Sequence, residues 1–227
     1  MNFWVKKLKL ATPILSYMVV YFTWFFILEN RNTAYKLIHT SIDDRIPFCE
    51  YFVIPYYLWF LYVTFSILLP LFTDEDAYKK TIVYYITGMT VFLMISTIWP
   101  NGHNLRPVIP EDNSIFTKLV SSLYKVDTPT NIWPSIHVYN SIGAHLAVTN
   151  CSVTRNKFWA RALSLVLCVS IIFSTMFLKQ HSFFDVCTAF MMALLFGLIV
   201  YRNEVVEAVR ELSSGKRLYR RLFKTHG

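Results

Sequence analysis

Five stretches of the chain are apolar almost without interruption: about 10–28, 51–72, 81–99, 158–178 and 182–201. Each approaches the roughly 20 residues that a helix needs to cross a bilayer core about 30 Å thick. A sixth stretch, 136–152, is weaker, because His137, Asn140, Ser141 and His145 interrupt it. Polar side chains inside a span are costly and normally face a protein interior or a water-filled cavity. The pattern therefore predicts an all-α integral membrane bundle of six transmembrane helices, and directs attention to the weak span first. The segment 100–135 is punctuated by Pro100, Asn101, Pro107, Pro110 and Pro129 and reads as a folded lid rather than a strand-bearing domain.

Composition agrees with that pattern. Of 227 residues, 55% are hydrophobic and only 16% charged, against roughly a quarter charged in soluble chains; mean hydropathy is +0.40. No polar stretch is long enough to fold alone, so residues 1–227 read as one membrane domain. The formal charge of +8 does not imply nucleic acid, because the basic residues flank the apolar runs. With both termini cytoplasmic, fifteen of the 22 lysines and arginines fall inside, seven of them from Arg202 onward. The positive-inside rule selects that orientation and places 100–135 and 179–181 on the extracytoplasmic face. The basic tail, 203–227, reads as an amphipathic cytoplasmic helix near anionic headgroups. Cys49, Cys151, Cys168 and Cys187 have no paired spacing and imply neither a disulfide framework nor a zinc ribbon. The N-terminal basic and apolar run resembles a secretion signal, but it is long and no small-residue cleavage site follows, so it reads as the first span.

Three polar segments then fall at one membrane face: Asn101 to Pro107, Asn131 to His137, and Lys179 to Asp185. At a spacing of i and i+4, His181 and Asp185 share a helix face, so the carboxylate can orient the imidazole as a base or nucleophile. Pro134 and Ser135 read as a helix start, whose free N–H groups and hydroxyl suit an anion, with His137 beside it as a proton donor. Arg106 can clamp phosphate oxygens bidentately. Two histidines, an aspartate, an arginine and a helix start suit phosphoryl transfer. His145 lies two turns below His137 and reads as a hydrogen-bonded interior histidine, and the aromatic richness reads as lipid-facing packing.

Pro134 to His137 resembles the PSxH motif of the type 2 phosphatidic acid phosphatase superfamily. Ser174, His181 and Asp185 match that family's last motif, and Arg106 with Pro107 resembles the end of its first. The resemblance covers roughly 50–202, which would be the catalytic core. It implies a six-helix bundle and a metal-independent, cofactor-free reaction through a phosphohistidine. His181 would be the nucleophile, Asp185 its partner and His137 the acid, with Ser135 and Arg106 on the phosphate of a phospholipid substrate. Three positions depart from the family pattern: Trp99 stands where the first motif opens with Lys, Thr175 where the third has Arg, and Ile136 where Gly is usual. Lys179 could replace one lost cation, and Ser174 and His103 are secondary candidates. The leading expectation is a lipid phosphatase acting on a phosphatidate-like substrate. The alternative is a phospho-headgroup transferase, passing phosphoinositol or a similar group to a lipid hydroxyl. The Lys-Gln-His-x-x-x-Asp pattern resembles that branch, which includes the inositol phosphorylceramide and sphingomyelin synthases. Fewer cations would also fit the smaller charge of a diester. A transporter and a metal hydrolase ligated by His137, His181 and Asp185 are the weaker readings; oligomeric state is left open.

Overall fold

The computed structural model describes residues 2–109 and 114–202; the tail helix expected over 203–227 lies outside the described residues. Within them the chain forms α1 (Phe3–Glu29), α2 (Val53–Thr73), α3 (Glu75–Ile98), α4 (Ile115–Val126), α5 (Ile136–Asn150), α6 (Phe158–Phe177) and α7 (Phe183–Val200). Polar side chains cap the starts of α1, α3, α4, α5 and α7. Asp74 closes α2 and also caps α3 by accepting from Ala77 N, so a single residue makes that connection. Ser135 caps α5, and Ser182 caps α7 through a capping box with Asp185.

Among the described residues five helices, where six were expected, are long and apolar enough to cross a membrane: α1, α2 with the 3-10 turn before it, α3, α6 and α7. The exception is α5, whose 15 residues extend about 22 Å at about 1.5 Å per residue. Its place in the bundle explains its polarity. It packs against α2, α3, α6 and α7 at once, and none of its residues is exposed. A helix with four protein neighbours does not have to be lipid-like. The apolar exposure belongs to the outer helices, at residues such as Val19, Leu61, Leu163 and Leu194.

Close approach of α3 and α5 depends on two glycines. The Tyr139 ring sits where a Cβ on Gly88 would be (2.0 Å), and Tyr84 occupies the same position over Gly143 (2.5 Å). The two tyrosine rings stack at 4.4 Å, and each hydroxyl donates to the other residue's carbonyl, at 2.8 and 3.4 Å. At one end of the bundle, Lys6 and Lys79 pair with Glu75, both at 3.1 Å. The same end holds Ser152 N, which donates to Asp74.

The other end carries a small lid. β1 (Lys36–Leu37) pairs in parallel with β2 (Asn101–Gly102), and Gly102 bridges to Thr130. The expected strand-free lid thus contains short backbone pairing, along with the unforeseen α4. Glu29, at the end of α1, accepts from Thr128 and Asn131, and Arg31 donates to Asn131 and to carbonyls closing α3. Asn131 has φ 51°, a left-handed conformation that asparagine tolerates. The Asn101 side chain accepts from Ile132 N and Trp133 N at 2.9 Å, fixing the approach to α5. α4 buries Val120 and Leu123 against Val53, Tyr56 and Leu178, and Tyr124 donates its hydroxyl proton to the Leu178 carbonyl.

Candidate active site

His137 lies in the first turn of α5, between the rings of Tyr56 (4.7 Å) and Trp59 (4.4 Å) from α2. His181 arrives from the turn joining α6 to α7. That turn is closed by Gln180 N and His181 N, both donating to Thr175 O at 2.9 and 3.1 Å, with Lys179 at φ 52°. The two imidazoles meet, His137 Nδ1 lying 3.3 Å from His181 Nε2. Both are buried, at 8% and 6% exposure.

His181 and Asp185 do not share a helix, as their spacing suggested, because α7 begins at Phe183 and His181 precedes its cap. The capping box nevertheless folds Asp185 back, so that its Oδ2 accepts from Ser182 N at 2.9 Å and lies 3.5 Å from His181 Nδ1. The last contact lacks hydrogen-bond alignment, leaving His181 Nδ1 and Asp185 Oδ1 without hydrogen-bond partners among the described residues; it is an electrostatic pair. A carboxylate can only accept, so Asp185 favours the proton on Nδ1 and a lone pair on Nε2 of His181. The bond to His137 then requires the proton on His137 Nδ1. The arrangement presents one nitrogen lone pair and one N–H at the same point.

The expected phosphate ligands bond to neighbouring protein groups. Arg106 donates to Tyr124 O (3.1 Å), Asp127 O (2.6 Å) and the Gln180 side chain, with its guanidinium 4.4 Å over the Tyr124 ring. Burial lowers its pKa, against the opposing pull of Asp127. Lys179 Nζ donates to the carbonyls of Asp43 (2.6 Å) and Ile46, and burial lowers its pKa too. Both cations therefore brace the turn that carries His181, and their recorded bonds go to protein acceptors rather than to either imidazole. Ser135 is fully buried, its Oγ accepting from Val138 N and its N–H donating to Asp185 O. Ser174 turns back within α6 to Ile171 O, and Thr175 likewise to Ile172 O. Trp99 lies edge-on to Trp133. His103 accepts from Leu105 N at Nδ1 and donates from Nε2 to Gln180 O at 2.9 Å. It too is a strut for the turn, and its pKa is lowered to about 3, by burial first and by the neighbouring His181 and Arg106 next. His145 bonds Ser164 on α6.

Four further residues shape the site: Tyr56 and Trp59 flank His137, Asp127 accepts the Tyr56 hydroxyl proton, and Asp43 accepts from Ser182 and Phe183. Only the Thr-x-x-Asp turn at 40–43 offered a local clue, since the other contacts are long-range. A cavity of about 570 Å³ adjoins the turn, lined by Leu37, His39, Asp43, Asp44, Asn104, Leu105 and Lys179. No group of three His, Cys, Asp or Glu able to hold a metal ion occurs among the described residues.

A curated rat protein, "Olfactory receptor 1" of Rattus norvegicus, is 22% identical over 163 residues, covering 72% of this chain. The chain spans 42% of that protein's length, and identity at this level assigns no function. No solved structure matches. The PAP2 superfamily model matches residues 81–206, more than half of the chain and a stretch that contains His137, His181 and Asp185. The chain belongs to the PAP2 superfamily.

Proposed function

We propose that this protein is a membrane lipid phosphatase that removes phosphate from a phosphatidate-like lipid through a phosphohistidine at His181. Members of the superfamily are typically phosphatases. The observation that carries the reading is the 3.3 Å contact between His137 Nδ1 and His181 Nε2, with Asp185 on the far nitrogen of His181. A phosphoryl group entering between the rings meets a lone pair on one side and a proton on the other. His181 Nε2 forms the N–P bond as the P–O bond to the lipid alcohol breaks, and His137, entering the step as an imidazolium, gives its proton to the departing oxygen and is left neutral. Water then attacks the phosphohistidine, His137 takes its proton, and inorganic phosphate leaves with His181 restored. Ser135 and the N–H groups that start α5 would hold the equatorial oxygens. Among the described residues, nine lysines and arginines lie toward the opposite end of the bundle and seven toward this one, a balance that supports an extracytoplasmic site.

The placement of the cations favours a second reading. With Arg106 and Lys179 bonded to protein acceptors, and Trp99 and Thr175 at two motif positions, the site suits a singly charged diester better than a doubly charged monoester. A phospho-headgroup transferase would use the same covalent step, with a lipid hydroxyl replacing water. The test is product analysis for wild type and His181→Ala, given phosphatidate, then phosphatidylinositol with ceramide. Released phosphate supports the phosphatase and a new phosphodiester lipid supports the transferase. Turnover retained by His181→Ala removes both.

A further inference from the structure

We propose that Asp43 is a positioning residue for His181, so that the loop before α2, outside the 81–206 match, belongs to the reaction machinery. The proposal rests on the reading of His181 as the nucleophile. Asp43 is 2% exposed, and its carboxylate reaches the start of α7 from 139 and 140 residues away. Oδ2 accepts the Ser182 hydroxyl proton at 2.6 Å, and Oδ1 accepts Phe183 N–H at 2.7 Å. Its own carbonyl accepts from Lys179 Nζ at 2.6 Å. One residue thereby holds positions 179, 182 and 183, on both sides of Gln180 and His181. The loop holds Asp43 in turn, through Thr40 N at 2.7 Å and Thr40 Oγ1 at 2.9 Å.

His181 precedes its helix, so the ladder of α7 does not fix the direction of its ring. A nucleophile must stand about 3–3.5 Å from the atom it attacks, and a displacement of about 1 Å can cost about a hundredfold in rate. The capping box of Ser182 and Asp185 already serves the first turn of α7, so helix stability alone does not call for a second buried carboxylate there. Burial tends to raise the pKa of Asp43, but the bonds from Phe183, Ser182 and Thr40 outweigh it and hold the carboxyl below its ordinary range. A carboxylate ionised at neutral pH is a firm acceptor at both oxygens. The Asn side chain offers one acceptor and would set its NH₂ against N–H or O–H donors.

The experiment compares full-length wild type, Asp43→Asn, Leu71→Ala, Ser182→Ala and His181→Ala, each purified as folded protein and assayed with phosphatidate in detergent micelles. Asp43→Asn should lower kcat roughly 10- to 100-fold while KM stays within about twofold. Single-turnover measurements should place the loss in formation of the phosphoenzyme. Leu71→Ala empties a buried position at the opposite end of the bundle; it should lower the melting temperature yet keep kcat within about twofold. Asp43→Asn and Ser182→Ala should combine less than additively, because they break a shared contact. A wild-type kcat per folded molecule of Asp43→Asn, even with a lowered melting temperature, overturns the proposal. If Asp43→Asn yields no folded protein, Ser182→Ala decides, and a kcat within about twofold of wild type overturns it. Activity in His181→Ala instead overturns the nucleophile reading; an inactive His181→Ala beside a fully active Asp43→Asn sinks only the role of Asp43.

Discussion

With Leu105 N–H donating to one ring nitrogen and Gln180 O accepting from the other, His103 is held as a neutral imidazole. Its pKa falls from the usual 6.5 to about 3 in the folded chain. Between those values the unfolded chain binds the extra proton, so this contribution is complete above pH 6.5 and is lost as the pH falls towards 3. The melting temperature should therefore drop on acidification from pH 7 to pH 4, and His103→Gln should flatten part of that decline. A second prediction concerns Asp185. Asp185→Asn keeps the side-chain volume but removes the charge facing His181 Nδ1, and should lower kcat by roughly 10²- to 10⁴-fold, read by steady-state assay beside a circular-dichroism check of folding. His137 and His181 were legible because a histidine in a weak span and a histidine four residues before an aspartate are local patterns. The engagement of Arg106 and Lys179 was not, because it depends on carbonyls of Tyr124, Asp127, Asp43 and Ile46, and backbone acceptors leave no trace in residue type.

At the level of elements, hydropathy located the bundle well. The run expected at 51–72 is Val53–Thr73 and that at 158–178 is Phe158–Phe177. α1 and α3 start earlier than expected, at Phe3 and Glu75, because polar turns can extend a helix beyond its apolar stretch. α4 escaped notice: at 12 residues it is too short to span, and it lies in a proline-rich segment that resembles a loop. The contact of α3 with α5 makes a sharp prediction. Gly88→Ala places a methyl group within the Tyr139 ring, and Gly143→Ala does the same at Tyr84. Each should destabilise the protein by about 1–3 kcal/mol or more, seen as a lower melting temperature. Ala at two exposed outer-helix positions, Leu61 and Leu194, should have a much smaller effect on that scale.

For the molecule as a whole, the balance of lysines and arginines among the described residues, nine toward the end away from the histidines and seven toward the end that holds them, predicts its orientation. In a background without the four cysteines, Asn104→Cys and Arg155→Cys place exposed thiols at opposite ends of the bundle. A membrane-impermeant maleimide added to intact cells should label the first and spare the second; the reverse pattern would put the site in the cytoplasm. The five outer helices must satisfy lipid with their side chains, whereas α5, enclosed by four of them, is released from that requirement and can carry imidazole, amide and hydroxyl groups, whose burial is offset by bonds such as His145 to Ser164 and Ser141 to the His137 carbonyl. A scan for helices long and apolar enough to cross a bilayer accordingly passes over the helix that supplies His137. In chains of this architecture, the stretch least like a membrane crossing is where mutagenesis should begin.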